Sequence, residues 1–294
     1  MSGMMQMTLT QGTISNRTEM HSSVRSATEL LQQEIGQAGR VSICGDLSSG
    51  SCTGSTTLTA AVAIGSVSTT VGNATGMFDG EQLVIDAGDN EETVTIASPS
   101  SSTNTFTATY TLTHAIGASV RVAGAFASGI VPDTATNGSG QFVLKLYGDI
   151  NDDHTMQYIE YTCNTPGQLV SGQPALYRNV VTVATGATKP SIASSMIVLS
   201  NLADNPPDPG GTTPAACFKY QKKIVSPDTY VVDVSVTLTV QTQNPDPQTQ
   251  KFQQETKALL NVSPRNIFEG WELAAAGVTN RIQPMPSLVS SLLP

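Results

Sequence analysis

The sequence predicts an α+β protein: a long N-terminal helix packed on an antiparallel β-sheet, with a small all-β module inserted between them. Three observations carry this expectation. Residues 17–41, RTEMHSSVRSATELLQQEIGQAGRV, hold the clearest helical period in the chain. Residues 229–242, TYVVDVSVTLTVQT, hold its strictest alternation. Residues 56–124 are dense in Thr, Ser, Val, Ala and Gly and show no helical period.

In the helix, Met20, Val24, Ala27, Leu31, Ile35 and Ala38 advance in steps of four and three, which stacks them on one face. Glu19, Arg25, Gln32, Gln33 and Gln37 fall elsewhere, and Gly39 suits a left-handed cap. About half of the apolar face is expected to cover the chain's own sheet, as in any surface helix. Positions such as Leu30 and Ala27 are then expected to meet neighbouring helices.

The island divides into short β-type runs at 57–64, 82–86, 92–96, 105–112 and 118–122. Turns such as Phe78-Asp79-Gly80 and Ala87-Gly88-Asp89-Asn90 separate them, which indicates a small sandwich or barrel. From Gly140 the strands grow longer and more aromatic: GQFVLKLYGDIN, TMQYIEYTC and LYRNVVTVATG. NPPDPGGTT, 205–213, is a loop by its Pro and Gly content. In 229–242, Val232, Val234, Val236, Leu238 and Val240 share one face. Residues 251–262 favour helix by propensity; following that strand through a short loop, they are expected to return as its neighbour. The tail is expected to hold a short helix capped by Asn266 and closed near Gly277. Its last residues, 282–293, and Trp271 are expected to cover core more than to meet partners. The resulting organisation is 1–44 helix, 55–125 module and 126–294 sheet body with tail.

The composition narrows the function class. Only 13% of the 294 residues are charged, against about a quarter in an average soluble domain, so the surface is rich in hydroxyls and amides. The net charge is −9 with 14 basic residues; this argues against nucleic acid, which demands clustered Lys and Arg. The four cysteines, Cys44, Cys52, Cys163 and Cys217, have no CxxC spacing, and with three scattered histidines they form no zinc pattern. They are either buried thiols or two disulfides. Proximity then favours Cys44–Cys52, leaving Cys163–Cys217. On the chain-entropy estimate the long loop is worth roughly 4 kcal/mol and the short one about 2.5 kcal/mol. Disulfides imply a periplasm or cell exterior. No export signal is visible at the N-terminus, so a longer native chain is expected, with Met4, Met5, Met7 and Leu9 in the tail of a hydrophobic helix.

Asp149, Asn151 and Asp153 have the D-x-N-x-D spacing of a calcium loop, with Thr155, Gln157 and Glu160 at its seventh, ninth and twelfth positions. Against that cofactor stand His154 where the loop needs Gly and a following strand that sends Gln157 and Glu160 to opposite faces. The other reading is a solvated acidic turn. His21, His114 and His154 stand apart in sequence. No GxSxG elbow, GxGxxG or Walker motif is present. A catalytic His–Asp–Ser cluster would have to assemble in space, and no enzyme is expected.

The order of these segments resembles the minor type IV pilins, nearest to the PilW-like prepilin group. The helix ends with Glu34, Ile35, Ala38 and Gly39; an acidic turn precedes Tyr158 and Tyr161; Leu176, Tyr177 and Arg178 follow; Pro264, Arg265 and Asn266 come late. The likeness covers 17–44 and 140–266, somewhat over half the chain. The family's cleavage site, hydrophobic helix start and early glutamate are not in this sequence. The resemblance implies a structural filament subunit whose partners are other pilins or pseudopilins, anchored in the inner membrane before assembly through an N-terminal segment missing here. It gives the stripe from Met20 to Ala38 a part in filament packing. The island instead is similar to β-modules of phage and bacterial surface proteins, which implies an exposed decoration. The alternative is therefore an adhesin or virion-type surface protein whose module binds a partner.

Overall fold

The computed structural model describes residues 2–48, 51–170, 172–247 and 249–294. Its architecture is α+β, a long N-terminal helix followed by several antiparallel sheets. Helix α1 runs Ser2–Gln37, starting fifteen residues upstream of the expected start at Arg17. The stripe residues Met20, Val24, Ala27, Leu31, Ile35 and Ala38 are all buried in the main core. Upstream of them Met7 is 75% and Ile14 60% exposed, and among the described side chains from Met7 to Glu19 none is buried to print a period. Thr13 Oγ1 still donates to Asp246 Oδ2 at 2.9 Å, and Arg17 Nε to Gln253 Oε1 at 2.5 Å. The side chains of Met4, Met5 and Leu9 lie outside the described ones. No described helix is long and apolar enough to cross a membrane.

The helix stops where the sequence places its stop. Gly39 adopts φ +81°, and a Cβ there would come within 2.7 Å of Ile267 Cγ1 and 3.2 Å of the Phe126 carbonyl. Only glycine meets both demands. The Asn266 side chain donates to the carbonyls of Gln37 and Ala38 at 3.2 and 3.4 Å, satisfying groups that a helix end leaves open. Asn266 thus closes α1 and is not the cap of its own helix. Helix α2, Arg265–Ala275, begins after Pro264 and closes at Gly277, φ +84°.

Two antiparallel sheets enclose the stripe. One is a meander of Val143–Gly148, Gln157–Asn164, Ala175–Thr182 and Ile197–Ser200. In the other, Asp228–Gln241 pairs with Phe218–Val225 and Leu202–Ala203, and also with the returning strand Gln254–Val262. Val232, Val234, Val236, Leu238 and Val240 are buried together in the main core. Tertiary pairing overrides the helical propensity of 254–262, as the short loop requires. Cys163 and Cys217 join the two sheets; Cys44 and Cys52 close the segment leading to the island.

The island has a core of its own, built from Leu58, Leu83, Ile85, Phe106, Tyr110, Val120 and their neighbours. A four-stranded sheet, Ser55–Thr57, Ser119–Val122, Gln82–Ile85 and Glu92–Thr95, faces a three-stranded one, Gly65–Thr70, Thr105–Tyr110 and Ala97–Ser100. The expected strand at 57–64 does not form beyond Thr57. Leu58 and Val62 make only isolated bridges, to Val71 and His114. The Ser-rich strand Gly65–Thr70 takes the place beside Thr105–Tyr110 instead.

The tail clamps the molecule. Ile282–Gln283 pairs in parallel with Ala125–Phe126. Val289, Leu292 and Leu293 fill a third core with Phe126, Tyr147 and Tyr158 on the outer face of the meander, and Lys145 Nζ donates to the Leu293 carbonyl at 2.5 Å. Trp271 is half-buried against the main core.

Candidate assembly surface and buried polar clusters

Three of the residues that carry the pilin resemblance, Glu34, Tyr161 and Arg178, meet in space. Glu34, on the buried face of α1, accepts from Arg178 Nε at 3.0 and 3.1 Å, from Arg178 Nη2 in a still closer contact, and from Tyr161 Oη at 2.5 Å. The Glu34 side chain is 5% exposed and the Arg178 side chain 24%. A buried carboxylate demands this satisfaction, because an uncompensated charge in the core costs several kcal/mol. Burial pushes the Tyr161 phenol well up, and the Glu34 charge adds to that, so its proton stays and donates. The cluster ties α1 to two adjacent strands, since Tyr161 and Arg178 are register partners.

The stripe itself is not a surface. All six residues from Met20 to Ala38 pack inside this chain. The open side of α1 carries Arg25, Glu29, Gln32 and Gln33, with Leu30 half-buried. Between that side and the strand Gln254–Val262 runs a groove of about 450 Å³, lined by His21, Arg25, Gln32, Lys257 and Leu259 among others. His21 pairs there with Glu255.

The acidic turn does not assemble a calcium site. Asp149 is fully buried; its two oxygens accept from the Asp153 and His154 backbone N–H groups at 3.0 and 3.3 Å, and Arg40 Nε lies 3.6 Å away. Asp153 Oδ1 accepts from the Thr155 N–H at 2.9 Å, while Asn151 points to solvent. Glu160 is committed elsewhere, to Tyr158 and Lys189. A guanidinium therefore supplies the positive charge, with Arg40 also on Asp152, whose carboxyl that hydrogen bond and charge hold below its ordinary value. Among the described residues no group of three or more acidic, His or Cys side chains is arranged to hold a metal.

Ser42, His154 and Asp149 do come together, but in the wrong order for acyl transfer. Ser42 Oγ is 2.7 Å from His154 Nδ1, and Asp149 Oδ2 is 4.0 Å from that same nitrogen. A triad needs the hydroxyl and the carboxylate on opposite ring nitrogens, and Ser42 is buried. In the module, His114 is wholly buried with Nε2 2.7 Å from Glu92 Oε1 and Nδ1 3.3 Å from Asp86 Oδ2. Glu92 also accepts from the Thr111 N–H and hydroxyl and the Leu112 N–H, at 2.7–3.1 Å. Burial pushes Glu92 up, but those donors together with His114 outweigh it and hold the carboxyl below its ordinary range. The network pins residues 111–114 across the module's two sheets.

One buried side chain forms the centre of the polar seam between module and tail, with the exposed Arg281–Glu91 pair at 3.3 Å beside it. Gln283 is buried; its Oε1 accepts from the Gln82 N–H at 2.8 Å, and its Nε2 donates to the Gln82 carbonyl at 2.7 Å and to the Ala123 carbonyl. Gly124 follows at φ +62°, where a Cβ would strike the Arg281 carbonyl. Neighbouring Glu81 is fully buried, with one oxygen on the Phe78 N–H and the other without a partner, and burial pushes its carboxyl well up.

The two disulfides indicate an oxidising, extracytoplasmic setting. Comparisons with protein-family models, with curated proteins and with solved structures find no match to this chain.

Proposed function

We propose that this chain is a structural, non-enzymatic subunit of an extracellular filament: a minor pilin or pseudopilin of a type IV pilus or related secretion filament. The observation that carries the reading is the division of α1. Its C-terminal half is bolted to the body by the stripe and the Glu34–Arg178–Tyr161 cluster, while its outer face at Arg25, Glu29, Gln32 and Gln33 is exposed. A helix held this way presents a rigid ridge to neighbours, and the groove beside Gln254–Val262 lies along it. The oxidising setting fits, as does the segment order shared with the PilW-like group. Partners in this reading are other pilin or pseudopilin subunits, in heterologous contacts that need not close. Before assembly the subunit is held at the inner membrane or periplasm.

The test is to shear surface filaments from the source cells and to identify this chain, with its native N-terminus, by mass spectrometry. Recovery in the sheared fraction with an apolar, methylated start supports the reading. Recovery only as a freely soluble protein, starting at Met1 or Ser2, overturns it.

One observation favours a second reading, an adhesin or virion-type surface protein. The module has a separate core and leaves Ile64 and Ile116 more than 60% exposed. In that case the module binds the partner and α1 is only a stalk.

A further inference from the structure

Strand register aligns an amine, a carboxylate and a carboxamide on the outer face of the meander. Glu160 is the register partner of Asn179, and Lys145 of Glu160. Lys189, from the loop folded over this face, places Nζ 2.9 Å from Glu160 Oε2. The carbonyl of the next residue, Pro190, accepts from Asn179 Nδ2 at 2.7 Å, so the residue beside the lysine is docked against the carboxamide. Asn179 is 4% exposed, and its Oδ1 is buried without a hydrogen-bond partner. An orphaned buried carbonyl is costly, about 1–3 kcal/mol, and calls for an explanation. Tyr158 and Val181, on the same face, are buried, and the tail residues Leu292 and Leu293 pack in the same core. The Lys189 and Glu160 side chains are 19% and 12% exposed, so a nucleophile, a proton acceptor and an electrophile sit together with limited access to water. Lys145 also lies 3.5 Å from Glu160 Oε2, but its closer bonds go to the carbonyls of Asn137 and Leu293 at 2.9 and 2.5 Å, which leaves Lys189, at 2.9 Å from Glu160, as the nucleophile.

We propose that Lys189 and Asn179 join in an intramolecular isopeptide bond, with Glu160 moving the proton. The Lys189 ammonium gives one proton to Glu160. The freed amine attacks Asn179 Cγ, and the tetrahedral adduct passes its surplus proton through Glu160 to Nδ2. The Cγ–Nδ2 bond breaks and ammonia leaves as ammonium, restoring the Glu160 carboxylate. Amine plus carboxamide becomes secondary amide plus ammonia, with no oxidant or cofactor. The bond staples residues 183–188 to the meander; Asn179 Oδ1 stays as the carbonyl of the new amide, and the departing Nδ2 gives up its bond to Pro190.

Intact mass of the purified full chain, with disulfides reduced, tests this directly. The expected mass lies about 17 Da below the sequence mass, the loss of one ammonia. Trypsin passes the Lys189-Pro190 bond, so the 179–219 peptide should carry the deficit and yield no backbone fragments between 179 and 189. Lys189→Arg should restore the full mass, and Glu160→Gln should leave most of the chain unlinked. A sequence mass with fragments through 179–189 overturns the proposal. So does a deficit that survives Lys189→Arg, which would mark a succinimide at Asn179, or a link to Lys145. Should Lys189→Arg fail to fold, fragmentation of the wild-type peptide decides alone.

Discussion

The sheet body and the inserted module solve the same problem differently. The body buries one long amphipathic helix between two sheets, ties the sheets by Cys163–Cys217 and locks the helix with a buried ion pair. The module has no helix beyond a single short turn at Gly88–Asn90 and builds its own smaller core from short strands. It relies on a buried His–carboxylate network and meets the tail through the buried Gln283 and an exposed Arg281–Glu91 pair. A large core tolerates a polar lock as an added constraint; a small one depends on its polar network for a larger share of its order. The two regions should therefore fail under different insults.

The largest effect is expected in the body. Replacing Cys163 and Cys217 by Ala should cost roughly 4 kcal/mol by the loop-entropy estimate, seen as a lower denaturation midpoint with the module's transition unchanged. Glu34→Ala comes next. It strands Arg178 in a partly open site, and about 3 kcal/mol is expected, the low end for breaking a buried pair. Glu34→Gln should cost less, since the hydrogen bonds to Tyr161 and Arg178 can survive without the charge. Equal losses for the two variants would mean that charge is irrelevant to the lock.

How far the sequence reaches follows from these same residues. The stripe from Met20 to Ala38 and the run from Val232 to Val240 are buried on one side only, so burial wrote a period that can be read directly. Gly39 was legible because a left-handed stop admits few other residues. The upstream half of α1 was not, because an exposed helix has no face to conserve a pattern. Strand Gly65–Thr70 was hidden by its serines, and 57–64 looked like a strand by composition alone. Glu34, Tyr161 and Arg178 were visible as separate motif letters, but their meeting depends on the register of Gln157–Asn164 against Ala175–Thr182. The acidic turn misled for the opposite reason: D-x-N-x-D is a spacing rule, and Arg40, more than a hundred residues away in sequence, answers Asp149 before any metal could. The proximity argument for the cysteines matched the pairing because the short loop sits beside the start of the module.

The seam separates the two regions more finely. Gln283→Ala removes three hydrogen bonds and leaves Gln82 and Ala123 groups unanswered, with an expected cost of about 2 kcal/mol. Hydrogen exchange should rise at 82–83 and 123–126 while the α1 stripe stays protected. Exchange rising equally in α1 would show that module and body unfold as one unit.

The smallest effects concern pH, and the module contains two of opposite sign. Glu92 is held below the ordinary carboxylate value near 4.5. Its contribution is complete above that value and drains away as pH falls through the folded one. Glu81 is held well above it. Its protonated form favours the fold at low pH, and that contribution is lost as pH rises from about 4.5 toward the folded value. Glu92→Gln should flatten the acid limb of the module's melting curve, and Glu81→Gln should flatten the limb above it and raise the melting temperature at neutral pH. Unchanged limbs in both variants would contradict the assigned shifts.

The central claim is that the open face of α1, and not the module, meets the partner. Photo-cross-linking in the source cells tests it, with the probe placed at Gln33 on the helix or at Ile116 on the module. The account expects Gln33 to capture pilin-type subunits and Ile116 to capture none. Capture through Ile116 alone, with Gln33 silent, would contradict the filament reading and make the module the working end.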